Sequence, residues 1–147
     1  MNNYMNLKFK SVSENELLAR NGIAAFVAPL NPSLNDLADI KTSISEAVTN
    51  AIIHGYENEE GCVEVTAVIE EDLLTVKISD KGKGIDDITK AKEPLFTSKP
   101  DMERSGMGFT IMESFMDTME VISSKSFGTT VIMTKKIEAM CLCDELY

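Results

Sequence analysis

Glu46 and Asn50 stand four residues apart in the run Glu-Ala-Val-Thr-Asn-Ala-Ile-Ile-His-Gly that ends at Gly55. On a helix that spacing stacks a carboxylate and an amide one turn apart, where both can face a common ligand. The carboxylate can take a proton from an attacking hydroxyl. The amide oxygen can give one ligand to Mg²⁺, which keeps several waters and draws its other oxygens from phosphates. An ordinary solvated helix face has the same spacing, so the pair alone does not decide between the two.

Two glycine-bearing segments follow. In Asp80-Lys-Gly82-Lys-Gly84-Ile the carboxylate ends a run of strand composition. A carboxylate there can accept a hydrogen bond from an adenine amino group, and Gly82 and Gly84 permit a backbone approach that a Cβ would block. A plain glycine turn is the competing reading. In Arg104-Ser105-Gly106-Met-Gly108-Phe the glycines precede a helical pattern. Backbone amides and the positive end of a helix bind anions, and Arg104 adds a full charge beside them. Each segment is weak evidence by itself; the three in this order are much stronger.

The elements that must position these residues can be read from periodicity. Met5, Leu7 and Phe9 alternate with polar residues and predict a short strand. Ser13 with Glu16 predicts a capping box opening a helix to about Val27. Asn31-Pro32-Ser33 breaks the chain, and Ser33 is placed to cap a second helix that runs to about His54, with Gly55 as its C′ glycine. On that helix Leu37, Ile40, Ile44, Ala47, Val48 and Ala51 share an apolar face, while Glu46, Asn50 and His54 form a separate stripe. Val63, Val65, Ala67 and Ile69, then Leu74, Val76 and Ile78, predict a hairpin turning at Glu71-Asp72. Residues 82–105 lack periodicity and are long for a connection, as functional lids are. A helix from Gly108 to about Met116 and strands over Met119–Ser123 and Thr129–Lys135 complete the pattern. The order β-α-α-β-β-loop-α-β-β predicts one α/β domain over 1–147, with helices on one face of a mixed sheet.

Composition limits the function. A net charge of −10 disfavours direct nucleic-acid binding and suits a basic protein partner, although a merely soluble acidic surface is the commoner reason for such a charge. The longest apolar stretch, Ile23 to Leu30, is far short of the ~20 residues a membrane span needs, and no basic-then-apolar leader opens the chain. Cys62, Cys141 and Cys143 cannot all pair with one another and read as reduced thiols of a cytoplasmic protein.

Taken together, the three segments resemble the N, G1 and G2 boxes of the GHKL ATPase/kinase superfamily. The resemblance narrows in two longer stretches. Glu46 to Tyr56, and Leu95-Phe-Thr-Ser-Lys-Pro-Asp-Met-Glu-Arg-Ser-Gly-Met-Gly-Phe-Thr-Ile-Met-Glu113, are similar to the sporulation anti-sigma factor family. Ser13-Glu-Asn, the helix around Arg20 and Gly128-Thr-Thr130 extend it over about residues 10 to 135.

That resemblance implies the superfamily's ATP-binding fold, an α+β two-layer sandwich whose sheet is mixed and mostly antiparallel. It implies ATP and Mg²⁺ as ligands, with Glu46 as catalytic base, Asn50 as the Mg²⁺ ligand and Asp80 as the adenine contact, its loop shaped by Gly82 and Gly84. A lid at about 86–105 would close over the phosphates, Thr97, Ser105, Gly106 and Gly108 lining the site and Arg104 meeting the terminal phosphates. Thr130 would lie near Asp80 and the base. The family phosphorylates a serine of an anti-anti-sigma factor and binds its sigma factor, here sigma F, as a homodimer. Glu16 and Arg20 are the implied partner-docking residues on the first helix. The tail over about 137–147 matches nothing in the family pattern.

Two rivals remain. One is an anti-sigma kinase serving another, stress-response sigma factor. The other is a binding module in which nucleotide acts as a conformational ligand without turnover; such a module has no need of Glu46. An autophosphorylating histidine kinase is disfavoured, because the sole histidine, His54, lies inside the first motif.

Overall fold

The computed structural model describes residues 1–56, 60–85 and 108–141. Among the described residues five strands and three α-helices follow one another: β1 (Asn2–Lys10), α1 (Asn15–Val27), α2 (Leu34–Asn50), β2 (Cys62–Glu70), β3 (Leu73–Ser79), α3 (Gly108–Phe115), β4 (Thr118–Ser124) and β5 (Gly128–Lys136). The strands form one sheet in the order β1-β2-β3-β5-β4. Every neighbouring pair is antiparallel, so the sheet expected to be mixed is antiparallel throughout. The β2–β3 hairpin turns at Glu71-Asp72 as expected, with Glu71 in the left-handed region at φ 58°.

Strand alternation explains why the molecule has two layers. One face of the sheet carries Phe9, Val63, Val65, Ala67, Ile69, Leu74, Val76, Ile78, Val131 and Met133, all buried. The helices cover that face through Ala19, Ile23 and Val27 of α1, Ile40, Ile44, Ala47 and Val48 of α2, and Met112 of α3. Each large aliphatic side chain buried this way contributes roughly 1.5–3 kcal/mol, against the entropy of ordering the chain.

Helix ends behave differently from one another. Ser33 caps α2 as its position predicts, its Oγ accepting the Asp36 N–H at 3.0 Å. Ser13 does not cap α1. That helix starts at Asn15, and its entry is closed by backbone bonds from Asn15 N to the Val12 carbonyl (3.0 Å) and from Glu16 N to the Ser13 carbonyl (3.2 Å). Asn15 Nδ2 also donates to the Lys10 carbonyl at 2.9 Å, tying α1 to the end of β1.

The largest departure is at the end of α2. The regular helix stops at Asn50 and continues as a wider π turn over Ala51–Gly55, in which Tyr56 N donates to the Ala51 carbonyl at 3.1 Å. The wider turn departs from the 3.6-residue period expected to run on to His54. Gly55 is not a left-handed C′ residue either, since only Gly84 and Gly128 among the described glycines have positive φ. Past β5 the chain crosses to the α1–α2 turn, where Met140 N donates to the Asn31 carbonyl (2.9 Å) and Asn31 Nδ2 returns a bond to the Met140 carbonyl (2.8 Å). Among the described residues no helix is long and apolar enough to cross a membrane.

Candidate functional site

The last regular turn of α2 and the first residue of α3 meet. A methyl group built on Gly108 would stand 3.0 Å from Asn50 Nδ2, 3.2 Å from Glu46 Oε2 and 3.4 Å from Asn50 Oδ1. The carboxylate and the amide therefore reach one point, at the positive end of an eight-residue helix. Any side chain at Gly108 would fill that point, which is a physical reason for glycine there. Both Glu46 and Asn50 are half-buried, between solvent and the packed face that Ala47 and Val48 supply.

The aspartate lies at the other end of the site. Asp80 follows β3 on the same face as Val76 and Ile78, and only 8% of its surface is exposed. Its N–H donates to the Thr129 carbonyl and its Oδ1 accepts the Gly82 N–H, both at 2.9 Å. Burial pushes its carboxyl above the ordinary aspartate value, and the hydrogen bonds from Gly82 and Thr129 offset part of that rise. With the Gly82 N–H on Oδ1 and the Thr129 backbone beside it, the desolvated carboxylate keeps further lone pairs for an incoming donor. Such an acceptor fits an exocyclic amino group such as adenine's.

Close approach of backbones holds this loop. A Cβ on Gly82 would lie 2.0 Å from the Gly55 carbonyl oxygen, and the neighbouring Lys83 N donates to that oxygen at 2.9 Å. Gly84 sits at φ +77° against the Ser124 carbonyl, a conformation that a residue with a side chain rarely adopts. Gly82 and Gly84 thus dock the Asp80 loop onto the π turn and onto the β4–β5 hairpin. Ser126 N to the Lys83 carbonyl (2.6 Å) and Ile85 N to Ser123 Oγ (2.7 Å) complete the second contact.

One expected residue is misplaced by a single step. Thr130 pairs with Ser79, and the two hydroxyls meet at 3.0 Å on the face of the sheet away from the helices. Asp80 points to the opposite face, so Thr130 is not its neighbour within the site. Thr129 is: it shares the inner face with Val131 and Met133, and its hydroxyl bonds Ser123 Oγ at 2.8 Å. The buried alternation of Val131 and Met133 is the sequence signal that could have selected Thr129.

The remaining candidates divide. Thr97, Arg104, Ser105 and Gly106, with the lid at about 86–105, lie outside the described residues. His54 is half-buried in the π turn. Glu16 and Arg20, expected on an open face, are side chains with 23% and 36% exposure that stand 3.8 Å apart. They flank the buried Ala19 and Ile23, while Leu17 and Leu18, about half exposed, point outward. Among the described residues no three His, Cys, Asp or Glu side chains converge as a metal cage. A Mg²⁺ ion at Asn50 fits the donor set only where phosphates and water supply its other ligands.

Comparison with known proteins identifies the family. Residues 12–135 match the model of the histidine kinase-like ATPase domain. The chain is 57% identical over 139 residues to an anti-sigma F factor of Clostridium beijerinckii, covering 94% of this chain and 97% of that protein. It is 54% identical over 145 residues to an anti-sigma F factor of Bacillus thuringiensis, covering 96% and 99%. Among solved structures, the RsbU and RsbW domains of Rv1364c from Mycobacterium tuberculosis superpose with a TM-score of 0.68 at 19% identity. That match covers 95% of this chain and 34% of the other, and it shows the shared fold.

Proposed function

We propose that this chain, which belongs to the histidine kinase-like ATPase domain family and within it to the anti-sigma F factors, binds and inhibits the sporulation sigma factor F and phosphorylates a serine of an anti-anti-sigma factor with ATP. The observation that carries the kinase half is the convergence of Glu46, Asn50 and the start of α3 on one point. The recessed Asp80 carboxylate supports a nucleotide held at the other end.

Each residue then has a task. Asp80 receives the adenine amino group while Gly82 N–H fixes Oδ1. Asn50 would hold the metal through its amide oxygen. Mg²⁺, when bound, supplies positive charge to the phosphates. Glu46 takes the proton of the attacking serine hydroxyl, a step typically worth ~10²–10⁴-fold in rate. The amides at the start of α3 stabilise phosphate charge, and Arg104, Thr97, Ser105 and Gly106 are assigned to binding the nucleotide with them. Glu16 and Arg20 on α1 dock a protein partner, and two copies of the chain act together in the cytoplasm.

A nucleotide-switched module without turnover is the second reading, and the placement of Glu46 beside Asn50 argues against it. Mixing the purified chain with Mg²⁺, radiolabelled ATP, sigma F and an anti-anti-sigma protein tests the proposal. The expected result is label on a serine of the anti-anti-sigma protein, together with capture of sigma F. Capture without label on any protein would favour the switch.

A further inference from the structure

Tyr56 closes the π turn and bridges two segments that are distant in sequence. Its hydroxyl donates to the Cys62 carbonyl at 2.7 Å and accepts the Lys81 N–H at 2.7 Å. Its ring lies flat enough on Gly61 that a methyl built there would stand 2.4 Å from Cε1 and 2.5 Å from Cδ1. One side chain thereby joins the end of α2, the start of β2 and the peptide that follows Asp80.

The Lys81 N–H belongs to the peptide group that carries the Asp80 carbonyl. The peptide before Asp80 is held too, its N–H donating to the Thr129 carbonyl at 2.9 Å. With the side chain fixed by Gly82 N–H, three bonds set the direction of the carboxylate, and Tyr56 supplies the only one that comes from a side chain of another segment. A carboxylate discriminates between an amino group and a carbonyl oxygen only as well as it is aimed, because hydrogen-bond strength falls steeply away from linearity.

We propose that Tyr56 is a positioning residue for base selectivity: its hydroxyl aims Asp80 and so sets the preference for adenine over guanine nucleotides. The inference rests on Asp80 being the base contact. Tyr56→Phe keeps the ring on Gly61 and removes only the hydroxyl, leaving the Lys81 N–H and the Cys62 carbonyl to water.

The test is calorimetric binding of ADP and of GDP, with Mg²⁺, to the wild-type chain, Tyr56→Phe and Asp80→Asn, with a melting curve for each. The ratio of the two affinities is independent of any unfolded fraction, because both nucleotides report on the same folded molecules. The wild-type chain should favour ADP by roughly tenfold or more, and Tyr56→Phe should lower that ratio about fivefold, the loss expected for one hydrogen bond. A variant that binds both nucleotides less tightly but keeps the wild-type ratio would overturn the proposal and leave Asp80's role intact. A wild-type ratio near one would overturn both.

Discussion

Gly55 and Asp80 touch: a methyl group built on Gly55 would stand 2.9 Å from both Cγ and Oδ1 of the aspartate. The π turn and the end of β3 are therefore fitted to each other through a missing side chain. Gly55→Ala should push the carboxylate off its position while the core beneath, Ala51 and Ile52, stays packed. Nucleotide affinity should fall roughly tenfold, the scale of one hydrogen bond to a charged group, with a native circular dichroism spectrum. Unchanged affinity in calorimetry would detach Gly55 from the site.

Asp80 should make stability depend on pH in a direction opposite to that of a salt-bridged carboxylate. Burial raises its folded-state pKa above the unfolded value. In the window between those two values the folded chain binds more protons than the unfolded one, so stability falls as pH rises through it. The cost is fully present above the folded pKa and is relieved in acid. Asp80→Asn keeps an oxygen for the Gly82 N–H and should melt higher than wild type at pH 7. That advantage should shrink as pH drops through the window. Melting temperatures measured from pH 7 downward check this; an advantage that grows in acid would reverse the sign.

How much of this was legible beforehand varies with the physical signal. The apolar period of α2, the Ser33 cap and the Glu71-Asp72 turn follow from local chemistry and are where the sequence puts them. The pairing of Glu46 with Asn50 followed from helical spacing alone. Three features did not. The π turn leaves the residue types of a helix unchanged and alters only its hydrogen-bond spacing. The choice between Thr129 and Thr130 is one of strand parity, where a single step reverses the face. Tyr56 acts through carbonyl and amide groups of Cys62 and Lys81, which carry no sequence signature at all.

Lys135 links the site to the far side of the domain. It is 8% exposed, its Nζ donates to the Phe115 carbonyl at 2.8 Å, and Asp36 at the start of α2 is 3.8 Å away. A cation there satisfies the C-terminal end of α3 and opposes its dipole. Lys135→Met should fill the space but lose that bond, costing about 1.5–3 kcal/mol in urea denaturation. Nucleotide affinity should weaken as well, since the other end of α3 is Gly108 over Glu46 and Asn50. A variant as stable as wild type would show that the buried ammonium does not hold the helix.

The central claim is that Glu46 is the base of a protein kinase, and Glu46→Gln tests it most directly. The amide keeps the shape of the side chain but cannot accept the serine proton. Transfer of radiolabelled phosphate to the anti-anti-sigma serine should fall by ~10²–10⁴-fold. ATP binding and sigma capture, measured beside it, should remain, because Asn50 and Asp80 are unaltered. Phosphate transfer by Glu46→Gln at the wild-type rate would contradict the account.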